Sequence, residues 1–139
     1  MRDVERDCAL LLEAAGLGST TSNPPSIYAG PFPATAPEAF IACRADGSGG
    51  APEVFLGGTG ERLHTRGVKV QVRGEREPAG YLAAKERAEA AHEALTDAYP
   101  VGYVRVMVVD AGPAYVGTDD QGRHLFSFNS EWTYGTEVQ

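Results

Sequence analysis

The chain has 139 residues, of which 42% are hydrophobic and 22% charged, and its formal net charge is −7. That length suits one domain with a real core. The acidic balance argues against a dedicated nucleic-acid binder, which would show a basic stripe, and against docking on an anionic membrane surface.

Val4, Cys8, Leu11, Leu12 and Ala15 recur at helical spacing, so residues 2–15 are predicted to form an amphipathic helix. Gly16 stands where a left-handed cap is expected, and Leu17 can fold back on the last turn. The same stretch lacks the uninterrupted apolar run and cleavage site of a signal peptide. No segment approaches the ~18 apolar residues of a membrane span. The expectation is a soluble protein made in a cytoplasm.

Residues 19–38, STTSNPPSIYAGPFPATAPE, contain five prolines, which remove backbone donors and exclude a helix. Ile27, Tyr28 and Phe32 sit between them, which is unusual for a solvated tether. An extended, partly ordered arm is expected, lying on its own domain or on a neighbour. AFIACR (39–44) is a predicted short strand, followed by the loop DGSGGAP, and EVFLGG (53–58) is a second strand or extended segment. GTGERLHTRG then leads into VKVQVR, where Val68, Val70 and Val72 alternate with Lys69, Gln71 and Arg73. Period two turns the valines to a core and the polar residues to water or to a partner.

Pro78 opens a central helix, in which Tyr81, Ala84, Ala88, Ala91, Leu95 and Ala98 form one stripe. Pro100 ends it. The remainder is predicted to be β: GYVRVMVVD (102–110), AYVG (114–117) and HLFSFNSEWTY (124–134). In the last, Phe126, Phe128, Trp132 and Tyr134 share a side. The order gives an α+β fold, a mainly antiparallel sheet flanked by an N-terminal and a central amphipathic helix.

No convergent catalytic set emerges. The glycine loops GGTGE and DGSGG lack the Lys and Ser/Thr of a phosphate cradle, and a strand follows each. His64, His92 and His124 lie in different elements without metal-type spacing, and His92 is expected to face solvent. Asp119 and Asp120 are neighbours in DDQG, where turn chemistry explains them better than paired acid–base work does. Ser127 and Ser130 have no glycine elbow. Cys8 and Cys43 are read as two buried free thiols rather than a disulfide, and they give a zinc site no support. Lys69, Gln71, Arg73 and Arg105 line the polar sides of patterned strands, either as a solvated face or as contacts with another subunit.

Taken in order, these features resemble a known family. The arm IYAGPFPATAPEAFIAC, the strand VKVQVRG with its following helix, and the hairpin GTDDQGRHLFSFN (117–129) are similar to the phage minor capsid proteins known as tail terminators or tail completion proteins. The resemblance spans residues 4–130. It implies one tail-terminator-like domain over residues 1–139, with the arm at 19–38. It implies a ring-forming virion subunit, made in the host bacterial cytoplasm. The hexameric ring would cap the tail tube at its head-proximal end and dock a head-completion, stopper or connector protein. DNA would pass only transiently through the channel, and neither cofactor nor catalysis is implied. The family motifs point to Arg73 and Gly74, and to Asp119, Asp120, Gly122 and Arg123, with Arg73, Asp119, Asp120 and Arg123 expected as subunit-interface or fold-fixing residues. Another head–tail connector role stays open, as does a small cytoplasmic enzyme or ligand-binding domain whose site forms only in three dimensions.

Overall fold

A computed structural model describes residues 2–54, 61–76 and 78–137. Residues 57–60 of the loop GGTGE and residues 55–58 of the predicted strand EVFLGG lie outside the described residues. The fold is α+β: two helices pack on a mixed, mostly antiparallel open sheet.

The first helix, α1 (Val4–Ala14), begins at Asp3, whose carboxylate accepts a hydrogen bond from the Arg6 backbone N–H at 3.1 Å. It ends in a Schellman arrangement. Gly16 takes φ +83°, its N–H reaches the Glu13 carbonyl, and the Leu17 N–H reaches the Leu12 carbonyl. Leu17 then packs against the core, as the sequence predicts.

The strands are β1 (Ile27–Ala29), β2 (Phe40–Ala45), β3 (Glu53–Val54), β4 (Glu61–Arg73), β5 (Arg105–Val108), β6 (Ala114–Thr118) and β7 (His124–Glu137). Their order is β1–β2–β4–β7–β5, with β3 also on β4 and β6 also on β7. The axis of the sheet is the long β4–β7 pair, in register from Glu61↔Glu137 to Arg73↔Leu125. Strand β4 thus begins at Glu61, inside the stretch read as a connection, because β7 extends far enough to pair with it. Strand β1, hidden among prolines, pairs in parallel with β2. The proline-rich arm therefore lies on its own domain.

Val68, Val70, Val72, Phe126, Phe128, Trp132 and Tyr134 face the helices and are buried. The second helix, α2 (Pro78–Thr96), covers them with the small stripe Ala84, Ala88, Ala91 and Leu95. Gly74 permits this approach, since a Cβ there would lie 2.6 Å from both the Ala84 Cβ and the Gly80 carbonyl oxygen. Cys8 and Cys43 are free and buried together. A hydrogen bond with Cys43, reinforced by burial, pushes the Cys8 thiol up. No helix among the described residues is long and apolar enough to cross a membrane.

Candidate functional site

The residues singled out by the sequence meet at the end of the sheet where β4 stops and the β6–β7 hairpin turns. Gly122 takes φ +76° at that turn. Asp119 Oδ1 accepts from the backbone N–H groups of Gln121 at 2.9 Å and Arg123 at 3.0 Å. Its Oδ2 accepts from Arg123 Nε at 2.7 Å and lies 3.9 Å from Arg73 Nη1. One carboxylate thus organises the turn and faces two guanidinium groups.

Partial burial raises the Asp119 pKa, but the hydrogen bonds from Arg123 and Gln121 outweigh it, so the net shift is downward. A depressed carboxylate contributes stability above its unfolded pKa of about 4, and this is lost as pH falls through the folded value. Asp119→Asn is therefore expected to cost about 1–2 kcal/mol at neutral pH. It should cost less as pH drops below 4, a convergence that urea titrations at several pH values would read out. A constant gap at every pH would show that the carboxylate charge contributes nothing.

Arg73 points to the face of the sheet away from the helices, as the alternation predicts, yet its side chain is only 8% exposed. The chain's own arm covers it. Arg73 Nε donates to the Glu38 carbonyl at 2.9 Å, and Nη2 donates to the Pro37 carbonyl at 3.0 Å. Its guanidinium lies 4.2 Å from the Phe40 ring centroid and 5.6 Å from that of Phe32. Burial and the neighbouring Arg123 push its pKa down, and Asp119 and Glu38 oppose them. Tyr28, Phe40 and Ala42, with Phe32 and Ala36, complete a small second core under the arm. Outside it, Arg76 pairs with Glu38 at 2.8 Å.

Asp120 is not part of this cluster: it is exposed at the tip of the turn and belongs to none of the described ion pairs. The histidines do not converge. His64 stacks on Tyr134 at 5.0 Å, and His124 Nδ1 lies 3.1 Å from the Tyr115 hydroxyl. His92, read as solvent-facing, is half-buried, with Nε2 at 2.8 Å from the Asp110 carbonyl and its ring edge on Phe128. The turn after β5 closes over that side of α2, which helical spacing alone does not reveal. Among the described residues no group of three or more His, Cys, Asp or Glu side chains could hold a metal ion. Two clefts of 450 Å³ and 330 Å³ flank the loop after α2, and neither is lined by a histidine.

Sequence reasoning passed over two features. Tyr103 donates from its hydroxyl to Asp7 and lies under Arg2, so it ties α1 to the loop after α2. Burial first, then Asp7, push its pKa up. Asp110 Oδ2 accepts from the Asn129 backbone N–H at 2.8 Å, which fixes the turn between β5 and β6. Both contacts join distant parts of the chain, and no local motif signals them.

No curated protein matches the chain. Among solved structures, one described as the virion of a native gene transfer agent particle is similar in fold. Its TM-score is 0.52 at 15% identity, over 90% of this chain and 84% of that one. A family model described as bacteriophage tail terminator protein matches residues 11–135, taking in the arm, the β4–α2 junction and the Asp119–Arg123 hairpin. That match covers most of the sequence, and the chain belongs to the bacteriophage tail terminator family.

Proposed function

We infer that the whole chain acts as one tail-terminator domain in the virion of a long-tailed phage. Copies form a hexameric ring at the head-proximal end of the tail, after synthesis in the host cytoplasm. The ring stops growth of the tail tube and offers its other face to a head-completion or connector protein. The family match over residues 11–135 carries this reading. The net charge of −7 supports a channel along which DNA slides rather than binds, since like charges repel. Arg73, Asp119 and Arg123 act as fold-fixing residues that hold the arm and the hairpin in place. Asp120, exposed and outside the described ion pairs, is the one left to meet a neighbour.

Purified chain added to polymerising tail-tube protein provides the test. The expected result is shorter tubes with six-fold rings at one end in electron micrographs. Tubes of unchanged length with no chain at their ends would overturn it. Binding to a portal-side adaptor instead would assign the chain to head closure.

A further inference from the structure

Most of the exposed large apolar side chains lie near the two ends of α2, with Met107 and Val109 exposed along and just after β5. At its C-terminal end, in the loop before β5, Tyr99 is 96% exposed, Val101 94% and Val104 70%. That loop stands between the two clefts, the larger of which Leu10 also lines. At the N-terminal end, Leu82 and Val116 are more than half exposed, and Tyr81 meets Tyr115 edge-on at 5.2 Å. Single exposed apolar residues need no explanation, whereas grouped ones mark contact surfaces. A helix of 19 residues, at 1.5 Å per residue, separates the two patches by about 28 Å.

Each patch has at its rim an exposed charge in none of the described ion pairs, and the first also carries exposed Asp97 two residues before Tyr99. Arg105, beside Val104, is exposed and in none of the described ion pairs. Asp120 holds the same position at the tip of the hairpin that carries Tyr115 and Val116. Lys85 and Glu86, one turn along α2 from the second patch, offset each other.

We propose that the Tyr99–Val104 loop of one copy docks head to tail on the Tyr81, Leu82, Tyr115 and Val116 surface of the next copy, with Arg105 facing the next copy's Asp120. The proposal rests on the ring reading and adds the faces that meet. Two unlike patches at opposite ends of one chain suit a heterologous contact, because each docking leaves the other patch open for a further copy. The Arg105 and Asp120 charges favour the same pairing. Like-with-like docking sets Arg105 against Arg105 or Asp120 against Asp120, and head-to-tail docking sets opposite signs together.

Light scattering on the full chain, alone and on tail tubes, tests this. Wild type forms the ring. Val101→Asp and Leu82→Asp each stay monomeric with unchanged circular dichroism, and serine replaces aspartate if either spectrum changes. An equimolar mixture of the two gives a dimer that cannot close, because each variant supplies the face that the other has lost. Rings from either variant overturn the docking proposal and leave the ring reading standing. Dimers from either variant alone show like-with-like contact and also overturn it. A wild-type chain that stays monomeric even on tubes removes both. Arg105→Asp and Asp120→Arg are each expected to weaken association about tenfold. Combining them restores it, and no restoration rejects that contact.

Discussion

Replacing Arg73 by alanine is expected to lower stability by about 2–4 kcal/mol and to loosen the proline-rich arm. The side chain makes two charge-assisted hydrogen bonds to the Pro37 and Glu38 carbonyls, stacks on Phe40 and faces Asp119. Bonds of that kind contribute roughly 1.5–3 kcal/mol each, and a desolvated cation over an aromatic ring adds up to about 2. The sum is an upper bound, because the released arm can turn its carbonyls to water. Arg73→Lys should recover only part of the loss, since an ammonium cannot bridge two carbonyls and stack on a ring at once. Urea denaturation gives the stability change, and limited proteolysis at residues 31–38 reports the arm. An alanine variant with the wild-type midpoint and an equally protected arm would sink the idea that Arg73 clamps it.

Arg73 also marks where the sequence stops being legible. Alternation along VKVQVRG correctly separates Val68, Val70 and Val72 from Lys69, Gln71 and Arg73. It cannot say what covers the second face, because the cover comes from Phe32 to Glu38, more than thirty residues upstream. The same limit explains the other differences. Strand β1 is three residues long, and it exists because β2 lies beside it. The beginning of β4 is polar and lacks a clear period, yet it is extended because β7 pairs with it to Glu61. Local signals fared better. The Gly16 stop, the Ala84–Leu95 part of the α2 stripe and the Asp119–Gly122 turn need only neighbours in sequence and are where the pattern puts them, whereas Tyr81 is exposed and Ala98 lies beyond the helix. The family resemblance is carried by element order and by the hairpin, and the family match over residues 11–135 spans both.

Removal of the Trp132 side chain is expected to have the largest effect, about 3–5 kcal/mol for Trp132→Ala. This is the only tryptophan in the chain, and it is fully buried. Its ring meets Tyr103 edge-on at 5.0 Å, and its Nε1 donates to Ser130 Oγ at 3.0 Å. Ser130 in turn donates to the Val68 carbonyl at 3.0 Å, so the indole completes a buried relay between β7 and β4. A domain of 139 residues has roughly 7–20 kcal/mol in total, at about 0.05–0.15 per residue. The alanine variant therefore folds at 25 °C but unfolds at a much lower urea concentration. Trp132→Phe keeps most of the packing and leaves Ser130 its bond to Val68, so its loss should be about 1–2 kcal/mol. Both variants lack the tryptophan fluorophore, and circular dichroism follows the transition. Equal midpoints for the alanine variant and wild type would show that the cavity collapses without penalty. The comparison also separates core from surface: at concentrations low enough to keep wild type monomeric, Val101→Asp should leave the urea midpoint in place, whereas Trp132→Ala should move it at any concentration. The proposed ring needs that separation, because the proposed contact loops can then change without disturbing the β4–β7 pair that positions them.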